Sequence, residues 1–85
     1  MKAREFDSVV AKFRMETRHG RDLHAWLTYE GKVLVRTKRS GGRDDHPKDL
    51  VRSQLKLDEQ QLHAAIRCTF GREDYLAHLR KKGII

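Results

Sequence analysis

The chain has little of what disulfide-bonded or membrane-spanning proteins depend on. Among its 85 residues there is one cysteine, Cys68, which cannot form an internal disulfide. A chain without an internal disulfide has no need of an oxidising compartment. No apolar run approaches the roughly 20 residues of a membrane span, and the N-terminus lacks the pattern of a signal peptide. These absences predict a soluble cytoplasmic protein.

The sequence also lacks an internal repeat and a glycine-rich phosphate loop that follows a strand. Its one Gly-Gly pair, at residues 41–42, is interpreted as a turn or hinge. The sequence therefore does not indicate a protein that binds nucleotides through a glycine-rich phosphate loop.

Positive charge, in contrast, is plentiful and concentrated in one segment. Residues 18–43 hold seven Lys and Arg against two acidic residues, which gives +5 of the chain's net +7. The flanks, residues 1–17 and 44–85, contribute only +1 each. Positive charge concentrated on a small domain is typical of a protein that meets phosphate. The same segment contains His24 beside Trp26, so the question is whether the protein binds nucleic acid or cuts it.

Apolar periodicity predicts a single α+β domain over residues 1–85. An amphipathic helix is expected first, over residues 3–13. Two or three strands follow, with a two-residue turn at Glu30-Gly31, where glycine supplies the positive φ that such turns demand. The expected strands are residues 15–18, 23–29 and 32–38.

Two or three helices are expected after Pro47. Asp58 and Gln61 have the spacing of a capping box, which predicts a helix beginning there. Gly83 suits the position just after the last helix.

The turn at Glu30-Gly31 also predicts which hairpin residues lie opposite each other. One face would pair Leu27 with Leu34, Ala25 with Arg36 and Leu23 with Lys38, and the other would pair Trp26 with Val35 and His24 with Thr37. If the helices pack on the leucine-rich face, an imidazole, a stacking ring and a cation are exposed together, as suits nucleic acid; these are His24, Trp26, Thr37 and Arg39. If they pack on the other face, Trp26 is buried and His24 is an interior residue. Both interpretations stay open.

Histidine suits metal-independent RNA cleavage because its ordinary pKa, about 6.5, is close to neutral pH. His24 could take the proton of a ribose 2′-hydroxyl, which then attacks the adjacent phosphorus and leaves a cyclic phosphate. Positive side chains would stabilise charge on that phosphate, and His19 or His46 could protonate the leaving oxygen. The residues expected to contact nucleic acid are Arg18, Arg21, Trp26, Arg36, Lys38, Arg39 and Arg43.

Metal chemistry is not favoured. His63 and Cys68 are five residues apart on a predicted helix and do not share a face. The Asp-Asp-His at residues 44–46 is interpreted as a polar loop before a helix. We therefore expect neither a metal nor another cofactor.

The basic segment as a whole resembles the HicA-type mRNA interferase toxins. Residues 18–40 follow the order strand, basic turn, histidine-bearing strand, glycine turn and valine-rich strand. The sequence DLVRSQLKLDE at residues 49–59 is similar to the family's helix after the sheet. With the N-terminal helix, the resemblance covers residues 2–62, and residues 63–85 would be a C-terminal helical extension.

This resemblance implies an α-β-β-β-α fold like that of double-stranded-RNA-binding domains. It also implies metal-independent cleavage of mRNA, a catalytic histidine at His24, and an acidic antitoxin of the HicB type as a partner. The sequence thus predicts a HicA-like endoribonuclease. Two alternatives remain: a non-catalytic RNA- or DNA-binding module, and a protein-interaction domain whose basic face docks an acidic partner.

Overall fold

The structure, a computed structural model, describes residues 1–40, 47–67 and 69–85. Within them the order is one helix, three strands and three helices, which confirms the predicted α+β class. The elements are α1 Ala3–Lys12, β1 Glu16–His19, β2 Asp22–Tyr29, β3 Lys32–Ser40, α2 Lys48–Gln54, α3 Glu59–Ile66 and α4 Arg72–Lys81. The predicted contact Arg43, the glycine pair, the Asp-Asp-His loop and Cys68 lie outside the described residues.

The helix boundaries follow from local backbone chemistry. α3 begins with the predicted capping box: the Gln61 N–H donates to Asp58 Oδ1 at 2.7 Å, and the Asp58 N–H donates to Gln61 Oε1 at 3.0 Å. α1, α2 and α4 are each followed closely by a residue with positive φ, namely Arg14 at 52°, Lys56 at 62° and Gly83 at 79°. Gly83 therefore has the predicted role at the end of α4.

The three strands form one antiparallel sheet in the order β1-β2-β3. β2 and β3 are joined by the predicted two-residue turn, in which Glu30 and Gly31 have φ of 51° and 79°. Positive φ at both central residues is the mark of a type I′ turn, whose twist matches that of the flanking strands.

The pairing of β2 with β3 differs from the uninterrupted one predicted, because Leu34 is an extra residue in a β-bulge. Tyr29 pairs with Lys32 and Thr28 with Val33 as expected, but Leu27 then pairs with Val35. Every later partner is displaced by one residue: Trp26 pairs with Arg36, Ala25 with Thr37, His24 with Lys38 and Leu23 with Arg39.

The bulge has a physical reason in the placement of charge. Continuous pairing would have put Arg36 and Lys38 on the same face as Leu23, Ala25 and Leu27. With the bulge, Val35 and Thr37 turn inward and are buried, whereas Arg36 and Lys38 are exposed. Burying unpaired cations costs several kcal/mol, far more than a local break in the ladder.

The core lies against the leucine-bearing face of the sheet. Its sheet residues are Leu23, Ala25, Leu27 and Val35, and its helical residues include Phe6, Val9, Val10, Val51, Leu62, Ala65, Tyr75 and Leu79. His24 is exposed. The interpretation in which the helices pack on the leucine-rich face is therefore confirmed, and the one in which His24 is an interior residue is wrong.

Tyr75 ties α4 to this same core. Its ring stacks on Phe13 with centroids 4.1 Å apart, and its hydroxyl donates to the Leu55 carbonyl at 2.7 Å. Burial raises the pKa of the Tyr75 hydroxyl well above its usual value, because the charged form would lose its hydration.

None of the helices in the described part of the chain has the length and apolar content that crossing a bilayer requires.

Candidate nucleic-acid interface

The face of the sheet opposite the core carries most of the predicted site residues. We call it the open face. It is formed by side chains that alternate with the buried ones along each strand: Glu16 and Arg18 of β1, His24, Trp26 and Thr28 of β2, and Arg36 and Lys38 of β3.

His24 lies at the centre of one cross-strand row. Arg18 pairs with His24 from one side and Lys38 pairs with it from the other. Side chains of directly opposite residues begin about 5 Å apart, so the imidazole is flanked by two cations. All three residues are exposed. We call Arg18, His24 and Lys38 the histidine row.

Partners of the histidine row are few. Lys38 Nζ is 3.7 Å from Asp22 Oδ2, with the two side chains 57% and 30% exposed. Among the described residues, neither the His24 side chain nor the Arg18 side chain has a hydrogen-bond or ion-pair partner. The imidazole and the guanidinium are thus available to a ligand.

A second row, two residues further along β2, is centred on Trp26. Glu16 pairs with Trp26 from β1, and Arg36 pairs with it from β3. Glu16 Oε2 accepts from Trp26 Nε1 at 2.8 Å and from Thr28 Oγ1 at 2.5 Å. The carboxylate therefore fixes one edge of the indole ring. We call Glu16, Trp26 and Arg36 the tryptophan row.

The two rows border a groove of about 480 Å³. Its lining comes mainly from the middle of the sheet and from the β1–β2 turn: Arg18, His19, Gly20, His24, Ala25, Trp26, Val33, Arg36 and Thr37. A groove with cations, an imidazole and an aromatic ring has the components that single-stranded nucleic acid needs, since cations contact the backbone and rings stack on bases.

The structure brings together five of the predicted site residues: His24, Arg18, Trp26, Arg36 and Lys38. Arg21 is exposed in the β1–β2 turn, beyond the end of β1. Arg39 is not part of the open face. It pairs with Leu23, and its guanidinium donates to both carboxylate oxygens of Asp7, at 2.8 and 3.0 Å. Its side chain is only 16% exposed.

Thr37 is also absent from the open face. It is 4% exposed, and its hydroxyl donates to Gln54 Oε1 of α2 at 2.8 Å. Both departures follow from the bulge at Leu34, which exchanged the faces of the residues beyond it.

Glu16 is the functional candidate that the sequence did not reveal. A signal for it exists in the short β1–β2 connection, which pairs His19 with Leu23 and therefore Glu16 with Trp26. Without a pairing for β1, the sequence does not show that an acidic residue lies inside this basic surface.

In the described part of the chain, no group of three or more His, Cys, Asp or Glu side chains has the arrangement of a metal site. Comparison of the chain with family models, curated proteins and solved structures finds no significant match. The function has to be inferred from the open face itself.

Proposed function

We propose that this protein is a metal-independent endoribonuclease of the HicA type, which binds RNA on the open face and uses His24 as general base. The observation that carries the proposal is the histidine row: an exposed imidazole that has no side-chain partner among the described residues, placed between two cations at the edge of a groove.

The row suits the chemistry of RNA cleavage by the neighbouring hydroxyl. The His24 imidazole takes the proton of a ribose 2′-hydroxyl, whose oxygen attacks the adjacent phosphorus. The phosphorus–5′-oxygen bond breaks, which leaves a 2′,3′-cyclic phosphate and a 5′-hydroxyl. Arg18 and Lys38 stabilise the negative charge that builds on the phosphate oxygens in the transition state.

The leaving 5′-oxygen needs a proton. His19 is the described histidine that lines the same groove besides His24. Because His19 pairs with the core-facing Leu23, its imidazole does not belong to the open face, and a water molecule bound in the groove is the simpler source of this proton. His46, the other candidate, lies outside the described residues. Arg36, one row away, would hold a neighbouring phosphate or base.

Within this proposal, residues 1–62 form the HicA-like core, in which α1, the three strands and α2 give the α-β-β-β-α order of a double-stranded-RNA-binding-like fold, and residues 63–85 form the C-terminal helical extension. A HicA-type toxin acts on mRNA in the cytoplasm and is neutralised by an antitoxin of the HicB type. A partner with an acidic surface that covers the open face would fit that role here.

The test is incubation of the pure protein with end-labelled single-stranded RNA in EDTA, beside two variants. His24→Ala removes the proposed base. His63→Ala is the matched control, because His63 is an exposed histidine on α3, away from the open face. We expect the parent and His63→Ala to cleave, with cyclic-phosphate ends, and His24→Ala to be inactive while binding RNA normally. Cleavage by His24→Ala at the parental rate would refute the assignment.

A non-catalytic binding module for RNA or DNA is the second candidate, and the tryptophan row favours it. A ring fixed by Glu16 beside Arg36 serves binding whether or not His24 reacts. RNA that stays intact in the same experiment, but shows salt-sensitive binding, would identify this second function.

A further inference from the structure

In the tryptophan row, a side chain that only accepts hydrogen bonds and a side chain that only donates them lie on the two sides of the Trp26 ring. Glu16, on the β1 side, offers only acceptors as a carboxylate, and Arg36, on the β3 side, offers only donors. The strands are about 4.8 Å apart, so the row spans about 10 Å, which is enough for one base stacked on the ring to meet both side chains.

Both outer side chains of the row have hydrogen-bonding atoms that no described residue uses. The two bonds to Glu16, from Trp26 and Thr28, use Oε2 and leave Oε1 without a protein donor among the described residues. Arg36 is exposed, and within the same residues its side chain has no hydrogen-bond or ion-pair partner. Only the ring edge of Trp26 is anchored.

We infer that the tryptophan row is a guanine-reading site, a specificity that rests on the proposed use of the open face for RNA. Guanine presents two adjacent donors, N1–H and the N2 amino group, which suit Oε1 of Glu16. On the adjoining edge, roughly at a right angle to the first, guanine presents the acceptors O6 and N7, to which arginine donates in bidentate fashion. The long side chain of Arg36 can bend toward that edge from β3. The ring of Trp26 supplies the stacking surface.

The other three bases fit this row less well. On the edge that would meet Glu16, adenine and cytosine each have a ring-nitrogen acceptor beside the amino group. This acceptor would face the carboxylate of Glu16, which is also an acceptor. Uracil has one imino N–H between two carbonyl oxygens. Each would leave an acceptor against Glu16 or a donor of Arg36 without a partner, which costs binding free energy.

The position of the row also fits the proposed cleavage. Trp26 and His24 are two residues apart on β2, a separation of about 7 Å along the strand. A nucleotide whose base stacks on Trp26 would therefore bring its sugar and phosphate toward the histidine row. The expected substrate is single-stranded RNA cut next to a guanosine.

The experiment measures binding of short oligouridines with one central guanosine, adenosine or cytidine, and of oligouridine itself. Their 2′-O-methyl sugars prevent cleavage. Trp26 is the only tryptophan of the chain, so its fluorescence reports on the row directly. We expect the guanosine oligonucleotide to bind about tenfold more tightly than the others, in the range of one good bidentate base contact. Inosine, which lacks the N2 amino group, and 7-deazaguanosine, which lacks N7, should each lose most of that preference.

Two variants test the same point from the protein side. Glu16→Gln keeps an acceptor for Trp26 and Thr28 but turns a donor toward the base, and Arg36→Lys keeps the charge but loses the bidentate fork. Both should abolish the preference for guanosine. Their controls are Glu73→Gln and Arg67→Lys, exposed residues on α4 and after α3, which should retain it.

The outcomes separate this inference from the proposed function. The guanine-site inference is wrong if all four oligonucleotides bind with equal affinity, or if both row variants keep the guanosine preference. Either result leaves the proposed RNA binding unaffected. Absence of binding to every oligonucleotide overturns both proposals. Free GMP should compete only weakly, because it lacks the neighbouring phosphates. Competition by GMP as strong as by the oligonucleotide would overturn the assignment to an RNA chain.

Discussion

At the edge of the open face, next to the histidine row, the acidic residue Asp22 forms an ion pair with Lys38. Asp22 lies two residues before His24 on β2, and its Oδ2 is 3.7 Å from Lys38 Nζ. An exposed pair of this kind contributes only about 0–1 kcal/mol to folding. Its larger effect is on binding, because the carboxylate repels phosphate and competes with it for Lys38.

At this single residue we predict that Asp22→Asn strengthens RNA binding. Removing one like charge from the site should lower the Kd about threefold at low salt, a gain that falls as salt screens the field. The free energy of unfolding should change by less than about 0.5 kcal/mol. Titration followed by Trp26 fluorescence measures the first quantity, and chemical denaturation the second.

Asp49→Asn is the matched control for this prediction. Asp49 Oδ1 is also 3.7 Å from a cation, Arg52 Nε, but it lies on α2 and is 85% exposed. If both variants improve affinity equally, the effect comes from net charge alone, and Asp22 has no special place in the site.

The secondary-structure elements show which parts of the fold the sequence determines locally. The helices and strands follow from apolar periodicity, the I′ turn from Glu30-Gly31, and the start of α3 from Asp58 and Gln61. The bulge at Leu34 has no comparable local signal. It arises because the sheet must bury Val35 and Thr37 together with Leu23, Ala25 and Leu27, and that requirement exists only once the helices cover one face.

The end of α2 gives a prediction at the scale of an element. Lys56 has φ of 62°, a left-handed conformation that costs a residue with a Cβ about 1–2 kcal/mol. Glycine has no such penalty but loses more chain entropy on folding. Lys56→Gly should therefore raise the free energy of unfolding by about 0.5–1 kcal/mol. The substitution removes no contact at the end of α2, because the contacts there use backbone atoms: Leu57 N–H donates to the Arg52 carbonyl, and the His78 ring contacts the Lys56 carbonyl.

A glycine at the end of α3 should have the opposite effect. Arg67 has φ of −86°, which every residue adopts readily. Arg67→Gly then only loosens the unfolded chain and should lower the free energy of unfolding by about 0.5–1 kcal/mol. Urea denaturation of the three proteins checks both signs. Destabilisation of similar size in both variants would show that φ at Lys56 carries no strain.

The molecule as a whole is two-sided: the helices and the core lie on one face of the sheet, and the histidine and tryptophan rows lie on the other. The concentration of charge in residues 18–43 was visible in the sequence, and so were His24 and Trp26 as candidates. The neighbours of these two residues were predicted only in part: Arg18, Arg36 and Lys38 were expected contacts, but Glu16 was not. Arg39 was expected beside His24 and instead binds Asp7 of α1, because the bulge and the packing of α1 decide which cations reach the open face.

This arrangement predicts how RNA affinity depends on salt. Arg18, Arg36 and Lys38 are the cations of the open face, and each phosphate contact with a single strand contributes about 0.7 to the slope of log K against log salt. With Arg36 bound to the base, Arg18 and Lys38 make two phosphate contacts, which give a slope of about −1.4. Lys38→Met should reduce its magnitude by about 0.7, whereas Lys81→Met, which removes an exposed lysine at the end of α4, should leave it unchanged. Equal reductions in the two variants would mean that RNA is attracted by net charge rather than bound on the open face.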